Sequence, residues 1–241
     1  MNKYQAFYEM VKKWTVNDYM TQGIKSEVII DMLISDFVEE MIAAKLNCEL
    51  MQVKLLAKEF PIDIGSDDLR NAKVDYLVAG GDRLYLVELK TTEESHSTDQ
   101  KKRMLEAVGG EHATKHMVAF FADIVKSKKR HPSKLDSKKY LRTVRIMQKN
   151  IPGCDNDVSI DDLEKKLAEK FSANPPEILY IELKTPTNND FFEDDAGKKI
   201  NFIALDKLDK NEKFRELLSD EKKQRWDCLS NILEEIIRPI D

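Results

Sequence analysis

The chain has 241 residues, of which 34% are charged and 41% hydrophobic, with a formal net charge of −5. That length can bury a sizeable core, and that balance excludes a disordered polymer. A net acidic chain is also no uniformly basic nucleic-acid binder, so any affinity for nucleic acid must come from a local patch.

Cys48, Cys154 and Cys228 are far apart and odd in number. They suggest no disulfide framework and point to a reducing compartment. The amino terminus has no signal-peptide core and no apolar run reaches membrane-spanning length. A cytoplasmic protein without a membrane partner is expected.

In chain order, residues 1–22 read as a short amphipathic helix and loop. From about Ser26 to Leu46, Ile30, Ile34, Phe37 or Val38, and Met41 recur with helical period. Ser26 can cap this helix, with Glu27 favourable in its first turn. Glu49–Phe60 reads as a strand ended by Pro61. Val74–Ala79 and Arg83–Lys90 read as two strands around Gly80-Gly81, because both glycines can take the positive φ of a hairpin turn.

Residues 98–108 read as a helix closed by Gly109-Gly110. Residues 111–150 are expected to be helical, and 151–177 to hold a helix bounded by Pro152 and Pro175-Pro176. Ile178–Thr185 and Ile200–Leu205 are two further predicted strands; charged helices finish the chain, the last being Trp226–Ile237. This order gives an α/β fold with a central mixed β-sheet flanked by helices, in a single domain over residues 1–241. The motif-bearing core covers about 24–110, a helical basic insertion about 111–177, and later strands and C-terminal helices 178–241.

The chemistry concentrates in Val74–Thr92, VDYLVAGGDRLYLVELKTT. Strand alternation puts Leu84, Leu86, Glu88 and Lys90 on one face and Tyr85, Val87 and Leu89 on the other. A turn centred on Gly80-Gly81 places Asp75 opposite Leu86, on the face of Glu88 and diagonal to it. A one-residue slip would move Asp75 to the other face. Two carboxylates and the Leu89 carbonyl make a hard oxygen site suited to Mg²⁺ or Mn²⁺. Lys90 beside them can orient a water and neutralise a phosphate.

Asp75, then Glu88-Leu89-Lys90, preceded by a helix bearing glutamates and followed by a helix bearing Gln100, resembles the PD-(D/E)XK nuclease superfamily. Val87–Thr91, a gap containing Ser95 and Ser97, and then Gln100 resemble a run common in its bacterial members. The resemblance covers about residues 24–110. It implies a restriction-endonuclease-like core and a Mg²⁺- or Mn²⁺-dependent nuclease, with an endonuclease acting on DNA favoured. Asp75 and Glu88 would bind metal, Lys90 would assist, and a glutamate of the first helix would complete the site. The chain departs from the pattern in two places. Lys73-Val74 precedes Asp75 without the nominal proline, and Met104 stands where some members carry Tyr after Gln100.

For the helix ligand, Glu27 heads the apolar stripe, where an inward unpaired carboxylate is costly and metal coordination would relieve the cost. An exposed first-turn residue favoured by the helix dipole is the other reading. Glu40, beside Phe37 and Ala44, is the second choice; Glu39 groups with Ser35 and Asp36 on the polar face. Gln100 can hydrogen-bond the site or remain solvated.

Residues 127–150 carry Lys128, Lys129, Arg130, Lys134, Lys138, Lys139, Arg142, Arg145 and Lys149 against one acid, Asp136. Such a run supplies salt-dependent, sequence-independent phosphate affinity. Lys128, Lys129, Arg130, Lys138, Lys139, Arg142 and Arg145 are the candidate nucleic-acid contacts; a solvated basic helix is the alternative. A second Glu-x-Lys, Glu182 to Lys184, has no hairpin partner bearing an aspartate and reads as a later sheet strand. His112 and His116 lack a third zinc ligand. The competing functional reading is a catalytically inactive nucleic-acid-binding or assembly module on the same fold; a homodimer is left open.

Overall fold

Five strands form one mixed sheet in the order of the chain. The computed structural model describes residues 5–6, 8–13, 24–62, 72–110, 112–130, 136–151, 159–194 and 196–237, without the side chains of 24–27, 72, 127–130 and 136–140. Strands β1 (Val53–Ile62), β2 (Ala72–Gly80) and β3 (Arg83–Lys90) are antiparallel neighbours. Strands β4 (Glu177–Glu182) and β5 (Asn201–Ala204) then add in parallel to β3.

Helices cover both faces. On one lie α1 (Ile24–Ile34), α2 (Val38–Leu46) and the C-terminal helices α7 (Leu205–Leu208), α8 (Glu212–Leu217) and α9 (Asp220–Ile237), packed on Tyr76, Val78, Tyr85, Val87 and Leu89. On the other lie α3 (Thr98–Val108), α4 (Ala113–Arg130), α5 (Asp136–Asn150) and α6 (Ile160–Phe171), packed on Leu77, Leu84, Leu86 and Tyr180. Each β3 side chain therefore meets the layer that its parity dictates. No helix among the described residues is long and apolar enough to cross a membrane.

Trp226 fixes the first layer. It is fully buried, edge-on to Phe37 at 5.2 Å and to Phe214 at 4.7 Å, and its Nε1 donates to Asp209 at 3.1 Å. Such aromatic pairs add roughly 0.5–1.5 kcal/mol beyond area burial.

Several expectations change. The long helix of residues 26–46 is two helices. Ser35 Oγ donates back to the Met32 carbonyl, and Phe37 sits at φ −114°, ψ 0°, where the helix cannot continue. The buried stripe of Ile30, Ile34, Phe37, Val38 and Met41 nevertheless survives. Glu49 starts no strand, since Leu50–Gln52 is a 3₁₀ turn. Pro61 does not end β1 either, because β1 is an edge strand and can spare a donor. Toward the C-terminus, the strand expected to reach Thr185 stops at Glu182, and Leu205 opens a helix. The last helix starts at Asp220 instead of Trp226. Within the amino-terminal segment, residues 8–13 are helical and bury Tyr8 and Val11.

The hairpin turn is also displaced. Gly80 pairs with Arg83, so the two-residue turn is Gly81-Asp82. Gly80 is compressed between neighbours: a Cβ there would lie 2.8 Å from both Leu46 and Tyr85. Gly81 supplies the positive φ, +63°, that the first turn residue needs. Asp82 then accepts from Asn174 Nδ2 at 2.8 Å. Moving the turn by one residue shifts the pairing register by two, so parity is preserved and Asp75 moves from the level of Leu86 to that of Glu88.

Candidate active site

The β2–β3 ladder is paired from Gly80–Arg83 to Tyr76–Val87. Beyond it the Leu89 N–H donates to Asp75 Oδ2 at 2.7 Å, so a side chain continues where backbone pairing stops. Within a strand a residue's N–H and C=O point to the same neighbour, so the Leu89 carbonyl also faces β2. Asp75, Glu88 and the Leu89 backbone thus converge at a fork in the sheet.

Glu88 and Lys90 are each 5% exposed. Lys90 Nζ lies 3.2 Å from Glu88 Oε1 and 2.8 Å from Gln100 Oε1. Gln100 Nε2 closes the triangle by donating to Glu88 Oε1 at 2.6 Å. Gln100 is set by the start of α3, where Ser97 Oγ caps the helix by accepting from the Gln100 N–H at 3.2 Å. The solvated alternative for Gln100 does not apply.

One side-chain atom is left over. Glu88 Oε2 is buried and has no hydrogen-bond partner, a costly condition for a carboxylate oxygen. Asp75 is strained electrostatically in the same sense. Burial, then Glu88 and Asp31, push its carboxyl up to about 7 against the opposing pull of the Leu89 N–H and Lys90. Burial likewise raises Glu88, opposed by Lys90 and Gln100. A buried Glu88 and a half-buried Asp75 with a single ammonium bonded to Glu88 lack positive charge.

Asp31 of α1 was not singled out by sequence. It takes the Tyr76 hydroxyl on Oδ1, and Oδ2 lies 3.6 Å from Lys58 Nζ. The available signal was its spacing, one turn after Glu27 and between the buried Ile30 and Ile34. Glu27 itself falls in α1, but its side chain lies outside the described residues. Glu40 is not brought to the fork: it is buried and accepts from Lys222 Nζ at 2.6 Å. Glu39 accepts the Leu55 N–H at 2.7 Å, beside the register shift in β1. Among the described residues no three His, Cys, Asp or Glu side chains form a metal cage.

Glu182 is the residue whose surroundings the sequence concealed. It is a β4 residue, as expected, but it sits in register with Lys90 and is 3% exposed. Its two oxygens each lie 3.1 Å from His96 Nε2. Lys184 is exposed, past the end of the strand.

In the basic run, Arg142, Arg145 and Lys149 of α5 are exposed. Buried Val144 and Met147 seat this helix on the same sheet face as Glu88 and Lys90. Lys134 lies outside the described residues, as do the side chains of Lys128, Lys129, Arg130, Lys138 and Lys139.

The site predicts a modest local effect that is easily measured. Ser97→Ala should cost about 1 kcal/mol of stability through the lost cap, and should release Gln100 from Glu88 and Lys90. Chemical denaturation measures the first consequence.

No protein-family model, curated protein or solved structure matches the chain.

Proposed function

We propose that this protein is a metal-dependent nuclease of the PD-(D/E)XK type, hydrolysing phosphodiester bonds, with DNA as the favoured substrate. One observation carries the reading. Asp75 and Glu88, both pushed toward protonation, meet beside Lys90 at a strand fork, with Glu88 Oε2 buried and unpartnered.

The donor set fits a hard divalent cation. Asp75, Glu88 and the Leu89 carbonyl are all oxygen ligands, and Glu27 is the candidate from α1. When bound, Mg²⁺ or Mn²⁺ would polarise the phosphodiester and lower the pKa of a coordinated water. The chain's own groups do the rest. Glu88 Oε1 and Gln100 hold two of the three N–H donors of Lys90, leaving one for a water or a phosphate oxygen. Gln100, in turn, holds Glu88 Oε1 and leaves Oε2 as the ligand atom. The buried setting strengthens the attraction between the ammonium and the charge that develops on phosphorus-bound oxygen.

Incubation with circular and linear DNA in Mg²⁺, Mn²⁺ or EDTA tests this reading. Cleavage in either metal and none in EDTA is expected, whereas cleavage unaffected by EDTA would exclude it. An interaction module predicts neither cleavage nor metal binding.

Substrate affinity is assigned to the basic helix. Replacing Arg142 and Arg145 together by alanine should lower the salt dependence of DNA binding by about one log–log slope unit per lost phosphate contact. Binding isotherms at several salt concentrations check this.

A further inference from the structure

The carboxyl ends of β3 and β4 bring a further carboxylate to Lys90. Lys90 and Glu182 are directly paired across the parallel strands, so their side chains leave the same face. Adjacent strands are about 4.8 Å apart. Both residues are buried, which strengthens any attraction between them. An ionised Glu182 is therefore a direct competitor for the Lys90 ammonium.

That competition is not realised. Lys90 is bound by Glu88 and Gln100, while both Glu182 oxygens are engaged by His96 Nε2 at 3.1 Å. His96 is held for this purpose by an aromatic cage. Its ring stacks on Phe191 at 4.2 Å and 7°. It also meets Phe192 edge-on at 5.6 Å and Tyr180 at 6.5 Å. The backbone contributes too, since the His96 N–H closes the 3₁₀ turn onto the Glu93 carbonyl at 3.1 Å. Burial raises the Glu182 carboxyl to about 8 and lowers the His96 imidazole. Lys90 opposes the rise at Glu182, so the ammonium and this carboxyl already act on each other across the strands.

We propose that His96 is a positioning residue: by occupying both oxygens of Glu182 it keeps that carboxylate from capturing Lys90, and so leaves the ammonium free to serve Glu88, Gln100 and the reacting phosphodiester. The role rests on the nuclease reading. The mechanism is a choice of partner for one ammonium, not a contact with substrate. Removing His96 is therefore harmful only while Glu182 remains an acid.

The test uses His96→Phe, which keeps an aromatic ring against Phe191 but removes the nitrogen. Against DNA in Mg²⁺, His96→Phe should lose about tenfold in kcat, about 1.4 kcal/mol of transition-state stabilisation, with KM little changed. Adding Glu182→Gln should restore kcat to within about threefold of wild type, because an amide offers the ammonium no net charge. His96→Gln, which retains a donor, should fall between wild type and His96→Phe. A crystal structure of His96→Phe should show a Glu182 oxygen within about 4 Å of Lys90 Nζ. A double variant no better than His96→Phe, or a Glu182 that stays away from Lys90 in that crystal structure, would overturn the proposal. If wild type cleaves no nucleic acid, it is the nuclease reading that fails. The crystal structure then still decides whether His96 restrains Glu182.

Discussion

Asp75→Asn and Glu88→Gln should each yield a folded protein whose metal-dependent cleavage is reduced by about a thousandfold, comparable to removing a main transition-state stabiliser. In each case the oxygen bonded to a backbone or side-chain donor can be kept by the amide. An Asn oxygen at position 75 can still accept the Leu89 N–H, and a Gln oxygen at 88 can still face Lys90 and Gln100. What is lost is charge, the property that a metal site requires. DNA binding through α5 should persist, so gel-shift affinity and cleavage rate should separate. Loss of both in parallel would point to misfolding.

The second large effect concerns stability and pH. A carboxyl whose native pKa lies above its unfolded value stabilises the fold below the unfolded value, and that contribution is lost as pH rises through the native value. Asp75 is raised from 3.8 to about 7 and Glu182 from 4.5 to about 8. In EDTA, stability should therefore fall between about pH 4 and pH 8, with each group contributing on the order of 4 kcal/mol. His96, lowered by burial and by Lys90, runs the other way: its contribution is present above its unfolded value and is lost as pH falls.

Comparison with Asp75→Asn isolates the first group. The variant should match wild type near pH 4 and exceed it at about pH 8, where the melting temperature should differ by several degrees, at about 2–4 °C per kcal/mol for a chain of this size. Saturating Mg²⁺ should close that gap by stabilising wild type alone, by about 2.7 kcal/mol at a hundredfold excess over Kd. Asp75 and Glu88 would then be residues at which stability is traded for function. Thermal unfolding across pH, with EDTA and with Mg²⁺, measures both effects. A wild type no less stable than Asp75→Asn at about pH 8 would contradict the electrostatic basis of the site.

Much of the site was legible because it is local. The bounds of β3 and α3, and the shared face of Glu88 and Lys90, follow from alternation, from the glycine turn and from Gly109-Gly110 after the helix, whereas the Ser97 cap emerged only from the structure. The turn was misplaced by one residue, and the pairing register therefore by two, because glycine pairs mark a turn without saying which glycine starts it. Here Leu46 and Tyr85 claim Gly80 for the strand. The even-numbered shift preserved Asp75's face, whereas an odd one would have reversed it.

The remaining features depend on distant register. Glu182 is set beside Lys90 only because β4, far along the chain, pairs in parallel with β3, and no local pattern encodes that alignment. His96 is drawn to Glu182 by Phe191 and Phe192, which come from a turn between β4 and β5. Asp31 lay in plain view on α1, but its neighbours Tyr76 and Lys58 are set by tertiary packing. The break at Ser35 to Phe37 was likewise hidden, because its buried residues keep a helical spacing on both sides.

Lys90 gives the most direct test of the proposed function, since under that proposal it would act on the reaction without binding the metal. Wild type and Lys90→Ala should be compared on circular DNA under single-turnover conditions in Mg²⁺, with bound DNA measured in parallel. The expected result is cleavage by wild type and a loss of at least about a hundredfold in Lys90→Ala, with binding retained. Equal cleavage by the two proteins, or none by wild type on any nucleic acid in Mg²⁺ or Mn²⁺, would contradict it.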